Sequence, residues 1–212
     1  MKKIIFAAIA VFALNTVNAQ DAKNSKSFGV KGGVNFANIT DDKDADMKVG
    51  FFAGVYGEFM LSEKFSIQPE ILYSTQGTKY KENGSNEFGS YAVDATFKLD
   101  YINVPVMAKY YINDKFSIEA GPYVGFLLKG IVSYDVSVSN ENESVSDGDY
   151  IDLKDQLNTV DFGLGFGAGY KVNSNISLGL RYNIGLTDVE EDAGDEMGSK
   201  NSVFQLSFGY KL

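Results

Sequence analysis

The 212-residue sequence predicts an all-β fold: an eight-stranded antiparallel up-and-down transmembrane β-barrel with a side-chain-filled lumen. Three observations predict it. Segments of period-two alternation recur from Phe28 to Leu212, one face apolar and the other rich in Gly, Ser and Asn. Short polar turns alternate with long acidic loops. The apolar face carries essentially no charge across its midsection, where a Lys or Arg facing the bilayer midplane costs about 2–4 kcal/mol.

The chain opens with Met1-Lys2-Lys3, an apolar run from Ile4 to Leu14 and the small-residue exit Val17-Asn18-Ala19. This reads as a secretory signal peptide over residues 1–19, too short in its apolar run to span a bilayer. Residues 20–27 read as a short periplasmic lead and residues 28–212 as the barrel.

The first strand, Phe28 to Ile39, sets Phe28, Val30, Val34 and Phe36 against Lys31, Asn35 and glycines. An acidic loop leads to the second, Val49 to Leu61, with Phe51, Ala53, Val55 and Phe59 opposing Gly50, Gly54, Tyr56 and Glu58. After the turn Ser62-Glu63-Lys64, the third strand runs from Phe65 to about Tyr80. It sets Ile67, Pro69, Ile71 and Tyr73 against Gln68, Glu70, Ser74 and Gln76. Pro69 lacks a ladder donor and predicts a bulge or local irregularity. Residues 81–97 read as a longer Gly/Ser/Asn-bearing loop.

The fourth and fifth strands form the clearest hairpin. Ile102, Val104, Val106, Ala108, Tyr110 and Ile112 alternate up to the turn Asn113-Asp114-Lys115. Phe116, Ile118, Ala120, Val124 and Phe126 alternate after it, and the fifth strand is expected to reach about Val138. Residues 139–156 read as a polar, acidic loop. The sixth strand, Leu157 to Val172, opposes Phe162, Leu164, Phe166 and Tyr170 to Asp161 and a column of glycines. The turn Asn173-Ser174-Asn175 leads to the seventh, Ile176 to Leu186, which carries Arg181 on its polar face. Another acidic loop precedes the eighth, Asn201 to Leu212.

Short turns thus follow strands two, four and six, and long loops follow the odd-numbered ones. Bacterial outer-membrane barrels have short periplasmic turns and longer external loops, so both termini fall on the periplasmic side. A soluble lipocalin-like barrel also alternates, but it turns its apolar face inward and its charged face to water. Here the second face is too poor in charge for such an exterior and suits a narrow lumen. The expected location is the outer membrane.

Composition excludes several function classes. A net charge of -9 and a pI near 4.6 argue against a nucleic-acid partner, which requires a basic footprint. With no Cys and no His, disulfides, Ser-His and Cys-His nucleophilic pairs and the commonest transition-metal ligand are unavailable. No cofactor, metal centre or catalytic residue is expected.

Two sets of residues stand out. Phe28, Phe59, Phe65, Tyr110, Phe116, Tyr170 and Tyr210 lie on the apolar face near the short turns or termini, as a periplasmic aromatic girdle requires. Lys31, Glu58, Glu70, Lys109, Glu119, Asp161 and Arg181 fall on the lumen face as a charge network. Counting from the turn at Asn113 to Lys115 places Lys109 opposite Glu119, predicting an ion pair, and a similar count places Arg181 opposite Gly167. These charges are expected to form a packed polar plug, with an ion path as the alternative, since eight strands leave room only for side chains or a thin thread of water. Glu58 and Glu70 on neighbouring strands are a formal acid–base pair, but no nucleophile accompanies them. The loop acids Asp41, Asp42, Asp44, Asp46, Glu190, Glu191, Asp192, Asp195 and Glu196 lack EF-hand spacing and read as a solvated rim, with divalent-cation binding there as the alternative.

The segment Leu99-Asp-Tyr-Ile-Asn-Val-Pro-Val-Met-Ala-Lys-Tyr-Tyr111, followed by Glu119-Ala-Gly-Pro-Tyr-Val-Gly125, resembles the PorT-like outer-membrane β-barrel family of the Bacteroidota. So do the start Phe28-Gly-Val-Lys-Gly-Gly-Val-Asn35 and the end Phe208-Gly-Tyr-Lys-Leu212. Family chains tend to end in an aromatic residue, whereas this one ends in Leu212. The resemblance implies an OmpX-like eight-stranded barrel and no uniform activity; some members serve a protein-secretion apparatus. The resulting expectation is a non-enzymatic barrel with an envelope-structural or surface-interaction role through its acidic loops. The alternatives are a narrow ion or small-solute channel and an accessory part of a secretion complex. Expected partners are outer-membrane lipid, the outer-membrane assembly machinery and an extracellular or secretion-complex protein.

Overall fold

The computed structural model describes residues 25–40, 45–86, 89–139, 144–190 and 199–212. The predicted signal peptide, most of the predicted lead and most of the loop acids lie outside these residues. The strands are β1 (Lys26–Ile39), β2 (Ala45–Met60), β3 (Phe65–Asn86), β4 (Gly89–Tyr111), β5 (Phe116–Ser139), β6 (Ser144–Asp152), β7 (Val160–Lys171), β8 (Ile176–Asp188) and β9 (Lys200–Lys211). Every pairing is antiparallel. Eight strands close a ring in the order β1-β2-β3-β4-β5-β7-β8-β9, sealed where β9 returns to β1. Closure removes the open sheet edges that hydrocarbon cannot tolerate.

The side-chain period of two sorts the wall into two faces. Val34, Val55, Ile118, Phe166, Leu180 and Leu206 point outward and stay exposed, while their chain neighbours Asn35, Tyr56, Ser117, Arg181 and Gln205 are buried inside. So large an apolar exterior on one chain calls for an apolar solvent.

Three expectations need correction. Pro69 causes no bulge: it pairs with Val106 in a register that runs on unchanged to Leu72 and Asn103. The neighbouring ladder bonds hold the register across the one missing donor. The irregularity lies instead in β2, between Met47 and Phe52, where β2 carries one more residue than β3. Residues 81–97 are not a loop, because β3 and β4 stay paired from Phe65 and Tyr110 out to Asn86 and Gly89. The supposed loop of residues 139–156 contains β6, which pairs with the outer half of β5, and a single 3-10 turn over Lys154–Gln156.

Consequently β3, β4 and β5 contain 22, 23 and 24 residues, whereas β7, β8 and β9 contain 12 or 13. A membrane-crossing strand needs about 9–11 residues. The excess of roughly 10 residues, at about 3.3 Å each, carries a four-stranded extension well past the outer rim. Beyond Gly130 the partner of β5 changes from β7 to β6, and β6 forms the last strand of that sheet.

Candidate functional site: the closed lumen

The lumen is layered. At the mouth beside the short turns a cavity of about 70 Å³ is bordered by Lys31, Glu58, Lys109, Glu119 and Lys171. The Lys171 ammonium stands 4.0 Å from the centroid of the Tyr111 ring. Glu58 accepts hydrogen bonds from the Tyr111 hydroxyl and from Ser66 Oγ (2.9 Å), and pairs with Lys109 Nζ at 3.3 Å. Lys109 also donates to Gln68 Oε1 at 2.9 Å.

Arg181 crosses the next layer. It reaches from β8 to β3 and grips Glu70 with a two-pronged contact, Nη1 to Oε2 and Nη2 to Oε1, both 2.8 Å. Its Nε donates to Glu119 at 2.7 Å. Lys31 Nζ and Gln68 Nε2 complete the shell of Glu70 at 3.2 and 2.6 Å. Arg181 lies opposite Gly167, as counted from the turn; Gly167 leaves space for Glu119, and neighbouring Gly165 for the arginine stem. The fork geometry and full desolvation make this the strongest polar contact of the lumen.

Lys109 and Glu119 are register partners as expected, but the predicted ion pair between them does not form. In a closed ring the inward side chains converge, so a partner across the lumen competes with one on the adjacent strand. Glu119 turns to Arg181. Lys109 reaches past small Ser66 to Glu58.

Toward the outside, Asn35 locks the β2 bulge. Its Nδ2 donates to Phe51 O (3.2 Å), Ser74 Oγ (2.9 Å) and Thr75 O (3.0 Å), while its Oδ1 accepts from Gln205 (2.9 Å). Gly50 is required beside it, since a Cβ there would stand 2.3 Å from Thr75 O. Phe52, Leu72 and Met107 fill the lumen alongside and are fully buried. Above them, Asp161 accepts from Tyr123 and Asn201, each at 3.1 Å, and Asn201 also donates to the Tyr101 hydroxyl. Asp161 therefore stands apart from the other six predicted lumen charges. Leu99, Tyr101, Leu127, Leu157 and Val189, with Leu153 against them, then cap the outer mouth.

The expectation of a small, polar or charged lumen face is thus too narrow. The inward positions also hold large apolar side chains, which displace water without needing partners. Of the formal acid–base pair, Glu70 has both oxygens engaged by structural donors, and Glu58 has Oε1 engaged by Ser66, Tyr111 and Lys109.

On the outer face, six of the seven predicted girdle aromatics stand as three pairs on adjacent strands. Phe28–Phe59, Phe65–Tyr110 and Phe116–Tyr170 have ring centroids 6.1, 6.4 and 4.8 Å apart. Tyr210 lies in register with Val30 and Ile176. The sequence reading missed a second set nearer the outer rim, Phe36–Phe204 and Phe51–Tyr73; Tyr80–Phe97 has the parity of Gln76, Thr78, Leu99 and Tyr101 and stands on the lumen-side face of the extension.

A closed eight-stranded ring with an apolar exterior and a polar, internally paired lumen defines an integral membrane β-barrel. The family model for the outer membrane protein beta-barrel domain matches residues 18–191, and the chain belongs to that family. Its place is the outer membrane. Solved structures similar to it include Ail, the attachment invasion locus protein of Yersinia pestis, at 14% identity and TM-score 0.46, covering 89% of this chain and 99% of that one. Neisserial surface protein A (NspA) is 16% identical with TM-score 0.43, covering 89% and 99%. OprG from Pseudomonas aeruginosa is 12% identical with TM-score 0.37, covering 89% and 97%. No curated protein matches the sequence.

Proposed function

We propose that this chain is a non-enzymatic, PorT-like outer-membrane barrel that acts at the cell surface through its β3–β6 extension, with the lumen serving as structural fill. The observation that carries this reading is the contrast in strand length: among the described residues, the wall runs far beyond membrane thickness only along β3, β4 and β5. A long exposed sheet has no use in spanning a bilayer, and its last strand offers backbone groups to a partner. Acidic Asp149 and Asp152 on β6 oppose indiscriminate pairing of that edge. The resemblance of Leu99–Tyr111 and Glu119–Gly125 to PorT-like chains supports the family subtype. Lipid packs against the apolar face, the two aromatic sets sit at its interfaces, and the assembly machinery inserts the barrel from the periplasm.

Complementation tests this. In cells lacking the chain, a barrel with β3–β6 trimmed to the outer rim should assemble in the outer membrane yet fail to restore the wild-type surface or envelope phenotype. A lumen variant that assembles should restore it. Full rescue by the trimmed barrel would refute the reading.

A further inference from the structure

The inner lumen charges balance: Lys31, Lys109 and Arg181 meet Glu58, Glu70 and Glu119 in ion pairs. Two more lysines, Lys171 and Lys211, border the cavity beside the short turns and, among the described residues, form no ion pair. The charged groups around that cavity are four lysines and two glutamates, an excess of two positive charges. Arg181 and Glu70, the pair behind it, cancel.

Strand parity puts the two lysines there. Lys171 shares parity with buried Asp161 on β7, and Lys211 with buried Gln205 on β9, so each is the last inward position of its strand. Between them runs β8. Lys171 pairs in register with Ser177 on β8, and Ser177 pairs with Gly209, two residues before Lys211. Lys211 is exposed at the opening, whereas Lys171 is half-buried with its ammonium 4.0 Å from the centroid of the buried Tyr111 ring. That cation–π contact holds it in the mouth. Lys109 and Lys211 act on Lys171 as like charges, and Glu58 and Asp114 as opposite ones. Glu58 is already committed to Lys109, Ser66 and Tyr111, and Asp114 lies on an exposed turn.

The wall between the lysines is made of the smallest residues. Ser117 lies opposite Gly169, Ser207 opposite Gly179 and Ser177 opposite Gly209. Each hydroxyl lies across its glycine: a Cβ on these three glycines would stand 2.8, 2.5 and 2.6 Å from the serine Oγ. The absence of bulk leaves the cavity of about 70 Å³ open. A water-sized occupant takes about 10–15 Å³ of such space. The cavity therefore has room for roughly five, as many as the heavy atoms of a phosphate group.

A bound anion would relieve the repulsion among these ammonium groups. Chloride or a carboxylate brings one negative charge. A phosphate ion or monoester brings about two, with several oxygens to accept from ammonium and hydroxyl donors. We propose that this mouth binds a doubly charged phosphate group, held by Lys171 and Lys211 with the hydroxyls of Ser177 and Ser207. The site is independent of the proposed surface role.

The test uses the purified, folded barrel in dodecyl maltoside micelles, which contain no phosphate. Inorganic phosphate is titrated at pH 8 and constant ionic strength, and binding is followed by calorimetry. The wild-type protein should show one saturable site. Lys171→Gln combined with Lys211→Gln should weaken it at least about tenfold, whereas Lys81→Gln on the extension should leave it unchanged. No saturable site, or equal affinity in the double variant, would overturn the proposal. Micelles doped with phosphatidic acid identify the source. Competition with phosphate supports the site as one for a lipid headgroup, and an undiminished signal supports it as one for a soluble phosphate. Should the double variant not fold, wild-type crystals soaked in tungstate decide the matter. An anomalous peak between Lys171 and Lys211 supports the site, and a featureless map there overturns it.

Discussion

Around Arg181 the lumen is closed by charge; around Tyr101, nearer the outer rim, it is closed by packing. The first closure is directional. Arg181, Glu70, Glu119 and Lys31 hold one another at 2.7–3.2 Å from four different strands, so each fixes the height and rotation of the others. The second is not directional. Leu99 and Leu127 on β4 and β5 and Leu157 and Val189 outside the strands need only fill volume, so the cap can draw on segments that pair poorly, such as the one that follows the 3-10 turn before β7. Specified geometry thus sits where the wall is regular, and tolerant packing sits where the wall breaks into loops.

The largest effect should come from breaking the charged closure. Arg181→Met leaves Glu70 and Glu119 buried without their main partner. It should destabilise the barrel by about 3–5 kcal/mol, since removing one member of a buried pair strands the other. Urea unfolding in lipid vesicles measures it. Leu180→Arg, one residue away but on the lipid face, should cost somewhat less, about 2–4 kcal/mol for a midplane site. Equal tolerance of a new charge at positions 180 and 181 would contradict the assignment of faces.

Leu157→Ala tests the packed closure. A cavity of this kind costs about 2–5 kcal/mol in a rigid core. Leu153, Leu157 and Val189 of the cap lie outside the strands and can collapse onto Leu99 and Leu127, so a value near the low end, about 2 kcal/mol, is expected. Asn35→Ala removes three donated bonds at the β2 bulge and should cost about 1–3 kcal/mol, with faster amide exchange at Phe51. The smallest effect belongs to the extension. Lys81 and Asp94 lie 3.8 Å apart, both more than half exposed, and Lys81→Ala should change stability by less than about 1 kcal/mol.

Much of this was legible in the sequence. The alternation of Ile102 to Ile112 and Phe116 to Phe126 sorts lumen from lipid because the period of two admits only two faces. The turns at Asn113 and Asn173 fix registers by counting, which is why Lys109 opposite Glu119 and Arg181 opposite Gly167 both hold. Counting cannot reach across the lumen. Glu70 and Arg181 are 111 residues apart on strands that are not neighbours, so their contact exists only once the ring closes. Phe52, Leu72 and Met107 carried a signal that apolar character obscured: they share parity with Tyr56, Glu70 and Lys109. β6 carried almost none, since Ser144 to Asp152 is polar and becomes a strand only because the outer half of β5 offers it a partner.

The central claim is that side chains seal the lumen, so the barrel wall and its extension act without a conducting path. Single-channel recording of the purified barrel in planar bilayers tests it most directly. The wild-type protein should give no stable unitary steps, and Arg181→Met combined with Leu157→Ala should introduce them. Stable steps from the wild-type protein, abolished by substituting Lys109 or Arg181, would contradict it and identify the charged layer as an ion path.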